Sequence, residues 1–374
     1  MWQRRAFLKA AGAGFAASLL PWRAEALERA ELVIASAIQT RAGGFAAVLV
    51  SEAGKLITSV ELPDRGHDIS FSPSTGKAVV FARQPGTFAL VFDPAGREKP
   101  QALTSIEGRH FFGHGAFSPD GKLLYATEND FEQARGVIGL YDATAGFRRI
   151  GEFDTFGTGP HEMLLAPDGK TFAVANGGIE THPDYGRAEL NLETMDPSLA
   201  FIDASDGNLI GQLRLDADLH QLSIRHLAFD ARGRVWFGCQ FRGPADGRPQ
   251  LVGFASREGE IRLIELSDNT LGGLRNYVGS VAASKDGGLV AVSSPEGNLV
   301  LAIDPDTASV VASLGLNNGC GIAPDEAGFV TSSGTGLLEG FAGSAAPSRQ
   351  FDFNFDNHLT PLARSPFPER GRLL

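Results

Sequence analysis

His114-Gly115-Ala116-Phe117-Ser118-Pro119-Asp120-Gly121-Lys122, running on into Leu123-Leu124-Tyr125-Ala126-Thr127-Glu128-Asn129, is the clearest copy of a pattern that recurs along this chain. A polar residue leads, a few mostly apolar residues follow, and a Ser-Pro-Asp-Gly-Lys turn delivers the chain into a β run. The turn has a physical reading: Pro presets φ, Asp bonds the backbone that follows, and Gly takes a positive φ between antiparallel strands.

Working outward, the same pattern starts at His67 (through Phe71-Ser72-Pro73 and Gly76-Lys77), at His161 (through Ala166-Pro167-Asp168-Gly169-Lys170) and at His226 (through Arg232-Gly233-Arg234). Weaker copies start at Gly279, with Asp286-Gly287 as the turn, and at Gly319, with Pro324-Asp325. A degenerate seventh start is His358-Leu359-Thr360-Pro361-Leu362. A second hairpin follows each copy, as in Phe88–Phe92 and Gln101–Ser105, which makes four strands per unit. Measured at Phe71, Phe117, Leu165, Phe229, Ala283 and Ile322, the spacings are 46, 48, 64, 54 and 39 residues. Four-stranded antiparallel units near a period of ~40–50 residues are propeller blades. The fold expected is therefore all-β, a seven-bladed β-propeller. Six or eight blades are the alternatives that the weak last copies leave open.

Ring closure follows from the ends. Three β runs precede His67 without an inner strand: Glu31–Ile38, Phe45–Val50 and Leu56–Leu62. His358–Leu362 is an inner strand with no room for three more. Together the N- and C-terminal strands complete one blade, which removes open edges and ties both termini down.

The rest of the chain divides around this core. Residues 1–26 read as a twin-arginine signal peptide: Arg4-Arg5-Ala6-Phe7-Leu8-Lys9, an apolar run from Ala10 to Leu20, and Ala24-Glu25-Ala26 as a cleavage site. The apolar run, about 11 residues, is too short to span a hydrocarbon core of about 30 Å. The expectation is a periplasmic protein exported by the twin-arginine route, with residues 27–374 forming the propeller and no membrane span in the mature chain. Removing residues 1–26 takes away a net +3 and turns −11 into about −14. That balance argues against nucleic acid, which needs a basic face. Cys239 and Cys320 fall in different blades, which favours two buried thiols, with Cys320 as a metal ligand the minority reading. The 64-residue spacing holds a loop insertion at about 176–199, expected to carry one helical turn; His182 and Arg187 within it are a candidate ligand loop.

Chemistry centres on histidine. His67, His114, His161 and His226 lead inner strands and His358 leads the closing one, so five imidazoles can converge on one mouth of the central channel. Imidazole is a common ligand for copper, iron and zinc. Asp68 and Glu162, beside two of them, are candidate further ligands or supports for the histidines. The competing reading is structural, because propeller repeats often keep a histidine that bridges strands. The spacing raises the same question: His67 and His161 lie four residues before the Phe71-type position, His114 and His226 three, and in a flat strand those offsets face opposite sides. Catalytic signals are thin, with no G-x-S-x-G, H-E-x-x-H or C-x-x-C-H, so an enzyme is not favoured. Glu128 and Asp130 read as solvated loop acids, and Arg187 and Arg225 as weak candidates for holding an anion.

Three further stretches, Asn176–Arg187 (N-G-G-I-x-T-H-P-x-x-G-R), Leu190–Leu199 (L-N-L-E-T-M-x-P-S-L) and Asn318–Ala323 (N-G-C-G-I-A), with the twin-arginine start and the repeated hairpins, resemble the bacterial domain of unknown function 1513 family. The resemblance covers nearly the whole mature chain. Members are commonly encoded beside imelysin-type periplasmic proteins and a di-haem oxidoreductase-like protein. That setting implies metal handling, iron acquisition above all, with an imelysin-type or cytochrome-like partner and iron or copper as the candidate ions. It defines no catalytic residues to carry over. Two other functions stand beside the metal reading: a pure protein-interaction scaffold, and a metal-dependent lactonase-like hydrolase, which a carboxylate-rich channel would favour.

Overall fold

The computed structural model describes residue 30 and residues 32–362; the expected signal peptide lies outside them. Seven four-stranded antiparallel sheets are arranged as propeller blades. Blade 1 starts on the inner strand Gly66–Ser72, blade 2 on Arg109–Phe117, blade 3 on Pro160–Leu165, blade 4 on Leu222–Phe229, blade 5 on Ser280–Ala283 and blade 6 on Gly319–Pro324. Blade 7 combines Val33–Thr40, Phe45–Ser51 and Leu56–Leu62 with two short C-terminal pieces, Phe353–Phe355 and Thr360–Leu362. Both pieces pair antiparallel with Val33–Thr40. The closure read from the sequence is present, and its inner strand is interrupted at His358.

The turns do what their residues dictate. In blade 2 the Gly121 amide donates to Ser118 at 2.8 Å, the Lys122 amide donates to Asp120 Oδ1 at 3.1 Å, and Gly121 has φ 69°. A side chain there would need the left-handed region and would collide with Ser74. The middle strands of the blades carry much of the apolar core: Ala78 to Ala82 is buried throughout, as is Val235 to Cys239. Burying such side chains contributes roughly 1.5–3 kcal/mol each, relative to exposure. Trp236 fills the core of blade 4, its indole N–H donating to Asp230 at 3.0 Å.

Two local expectations change. The segment between Asn176 and Ser198 carries two single 3-10 turns, Pro183–Tyr185 and Leu192–Thr194, in place of one helical turn. Glu128 and Asp130 are not solvated: both are buried on the second strand of blade 2. Glu128 accepts from Tyr141 Oη at 2.5 Å and from Arg149 at 3.0 Å, and Asp130 pairs with Arg109 and Arg135. No helix among the described residues is long and apolar enough to cross a membrane.

Candidate metal centre

Each histidine-bearing inner strand is bulged at its histidine. Pairing with the second strand slips between Gly66 and Ile69, Phe111 and Gly115, Pro160 and Glu162, and Ile224 and His226. In blade 7, Phe355 pairs with Ile38 and Thr360 with Ala35, so the four residues between them on one side face two on the other. A bulge places extra residues on one strand and re-aims the side chains that follow. Blade 2 gains two extra residues and blades 1, 3 and 4 one each; His67, His114 and His161 lie inside their bulges, and His226 is the first paired residue after its own, so offsets counted along a flat strand do not decide which way the rings face. Hydroxyls take up the freed carbonyls: Ser70 donates to Gly115 at 2.6 Å, Thr127 to His114 at 3.1 Å and Ser36 to His358 at 2.8 Å.

The five rings meet. Centroid separations are 4.6 Å for His67–His358, 4.8 Å for His114–His358 and His161–His226, 4.9 Å for His67–His114 and His226–His358, and 5.3 Å for His114–His161. Two triads bring their ligand nitrogens within 4.8 Å of one another: His67, His114 and His161, and His114, His226 and His358. Nitrogens around one tetrahedral ion with bonds of about 2.0–2.1 Å lie roughly 3.4 Å apart, so small ring movements close either triad. The second triad is buried, and Nε2 of His114, His226 and His358 has no hydrogen-bond partner.

The opposite edge of three rings is held. His114 Nδ1 lies 3.2 Å from Asp68 Oδ2, His226 Nδ1 3.1 Å from Glu162 Oε2, and His67 Nδ1 3.3 Å from Asp356 Oδ1. Every carboxylate comes from the blade before. Asp68 also accepts from Thr360 at 3.2 Å and Glu162 from the Leu227 amide at 3.1 Å. An Nδ1–H given to a carboxylate puts the lone pair on Nε2, facing the axis.

Electrostatics keep most of the cluster uncharged. Burial lowers His67 to about 4, against the opposing pull of the Asp356 hydrogen bond. Burial, reinforced by neighbouring imidazoles, holds His161, His226 and His358 well below the usual histidine value. His114 moves the other way: burial opposes the charge, but the Asp68 hydrogen bond and the Glu162 and Asp68 carboxylates outweigh it. Asp68, which burial alone would raise, is drawn down to about 2 by His114. Glu162 is pushed up to about 7 by burial. Asp356 sits well below the usual carboxylate range; burial is overcome by its bond to His67 and by the charges of His67, Arg65 and Arg83.

A cavity of about 440 Å³ adjoins the cluster, bordered by His67 and His161 and walled by the insertion through Ile179, Arg187 and Glu189. Of the two candidate loop residues, Arg187 faces this cavity. His182 does not border it; its Nδ1 accepts from the Asp184 amide at 3.2 Å and its ring packs on Phe131. His110, fully buried, is tied to Phe111 and Asn129, and His220 bonds Ala217. Blades 5 and 6 bring no imidazole to the axis. Cys320 is buried beside Ser332 Oγ at 3.6 Å and the Phe355 carbonyl at 3.8 Å, and its thiol joins neither triad. Both cysteines are free and buried. Asp356 escapes a reading by motif, because the acid follows the histidine in His67-Asp68 and His161-Glu162 but precedes it in Asp356-Asn357-His358.

Fold and site together define a seven-bladed propeller with a histidine-lined axial centre. The chain belongs to the family described as "Protein of unknown function (DUF1513)", whose model matches residues 60–362. No curated protein matches it. Among solved structures it is similar to Kuenenia stuttgartiensis hydrazine synthase, with a TM-score of 0.63 and 15% identity over 83% of this chain and 95% of that chain. A chain of the mitotic checkpoint complex is similar with a TM-score of 0.55 and 11% identity, covering 77% and 78%. At these identities, and with 1129 solved chains matching, the likeness shows the architecture alone.

Proposed function

We propose that this protein is an exported, periplasmic metal-binding propeller that holds one transition-metal ion on its axis through Nε2 of His114, His226 and His358. One observation carries the reading: three buried imidazole nitrogens from three blades face one another without partners. A buried polar atom left unpaired costs about 1–3 kcal/mol, and one ion shared by all three would satisfy them together. The donor set is all imidazole, which suits copper, iron or zinc and not calcium or magnesium. Iron and copper are the ions that metal handling in the periplasm favours. Asp68 and Glu162 support the ligands from behind, and His67 and His161 stand between the ion and the cavity.

Elemental analysis of untagged protein tests this. The expected result is about one iron or copper per chain after loading, lost in the double variant His226→Ala/His358→Ala while the β-rich circular dichroism spectrum is kept. Loading with iron, copper and zinc that leaves the wild-type protein metal-free contradicts it. The export step is tested by fractionation: the expected product is periplasmic and shortened near Ala26, and Arg4→Lys/Arg5→Lys protein stays in the cytoplasm.

A further inference from the structure

The cavity beside the histidines is cationic in a chain whose net charge is −11. Arg83, Arg187, Arg225 and Arg242 reach it from four separate segments. Glu189 is the one carboxylate on its wall, and Arg242 Nε takes it at 2.8 Å. Asp356, next to His67, is engaged by Arg65 and His67. Arg83, Arg187 and Arg225 therefore have no carboxylate partner among the described residues; the Arg225 Nε hydrogen bond goes to Ser223 Oγ at 3.3 Å.

Asp356 and Glu189 act on Arg83 and Arg225 only from beyond ion-pair distance, and three like charges converging with no carboxylate bound directly to them are unfavourable for a fold and favourable for an anion. Each guanidinium offers a planar fork matched to a carboxylate or phosphate. Size then separates the ligands. A cavity of about 440 Å³ falls within the ~300–1,000 Å³ of organic-ligand sites and exceeds what one inorganic oxyanion fills. Polar residues, among them Tyr277, Gln84 and Gln240, line much of the remaining wall, and Phe112 and Ile179 are its only large apolar side chains among the described residues, which leaves little provision for a large apolar body.

We propose that this cavity binds a small organic polyanion with two or three carboxylates, held by Arg83, Arg187 and Arg225. This goes beyond the metal reading, because the guanidiniums recognise the ligand whether or not an ion is bound.

Calorimetric titration of the full mature chain, stripped of metal on a chelating resin, tests it with citrate as probe and acetate and inorganic phosphate as comparators. The expected result is one citrate per chain, with acetate and phosphate bound roughly tenfold more weakly or worse. Arg187→Gln and Arg225→Gln are each expected to weaken citrate by roughly tenfold or more. Arg187 is exposed on the insertion, so its variant keeps the wild-type melting temperature and the test survives if Arg225→Gln folds poorly. No heat with citrate, phosphate bound as tightly as citrate, or wild-type affinity in the Arg187→Gln protein overturns the proposal. Citrate bound without metal, or metal without citrate, shows which of the two sites has failed.

Discussion

Asp68 of blade 1 reaches across to Nδ1 of His114 in blade 2 at 3.2 Å, and so fixes which nitrogen of His114 faces the axis. Glu162 does the same for His226 across the next-but-one boundary, between blades 3 and 4, at 3.1 Å. The axial centre is thus built from joints between blades. An error in packing two blades is an error in aiming an imidazole.

Removing the charge of that support is expected to weaken the metal without unfolding the protein. Carboxylates behind histidine ligands are worth ~10–100-fold in metal affinity. Asp68→Asn keeps the shape and the contact with Thr360, so competition titration with a chromophoric chelator should show a loss in that range at an unchanged melting temperature. Wild-type affinity in Asp68→Asn would remove Asp68 from the account.

Gly113 is the position where the backbone itself makes room. Its φ is 111°, and a Cβ there would lie 2.6 Å from Cδ2 of His67. Gly113→Ala must strain the backbone, displace the ring, or both, a cost of about 1–3 kcal/mol. Urea denaturation measures it, and the His67 ring resonances should move in NMR spectra of the variant. A variant as stable as wild type would mean that the bulge relaxes freely.

Acid should loosen blade 2 in a defined window. Burial would raise Glu152, but hydrogen bonds from Arg149 and Arg135 and the charge of Arg109 bring it down to about 2. A carboxylate depressed in the folded state contributes stability above its unfolded pKa, and that contribution is lost as pH falls from about 4.5 towards 2. Melting temperatures across this range should fall less steeply in Glu152→Gln than in wild type. Parallel curves would show that the network contributes nothing through Glu152.

Both thiols should be inert in the folded protein. Burial pushes Cys320 up to about 12 and Cys239 higher still, so almost no thiolate exists at neutral pH. A thiol reagent such as Ellman's is expected to find no reactive group in native protein and two in denaturant. Fewer than two in denaturant, under non-reducing conditions, would point to a disulfide.

The fold was legible because its signal is local and repeated. Each Ser-Pro-Asp-Gly turn announces a hairpin by its own chemistry, and the period and the unmatched ends at Val33 and Leu362 give blade count and closure. The five histidines could be named for the same reason. Their convergence could not, because the bulges depend on how each inner strand registers with its neighbour. Residues drawn from unrelated segments were also hidden. Asp356 precedes its histidine where the repeat places the acid after it, and Arg83 and Arg242 border the cavity from turns with no motif of their own. Glu128 and Asp130 looked like loop acids because Arg149 and Arg109, which neutralise them, stand on other strands.

Anomalous diffraction from a metal-loaded crystal tests the central claim most directly. Data collected at the absorption edge of the bound iron or copper should give one strong peak on the propeller axis, about 2.0–2.2 Å from Nε2 of His114, His226 and His358. A fully loaded crystal with no axial peak, or with the ion elsewhere and these three nitrogens bonded to backbone or water, would contradict it.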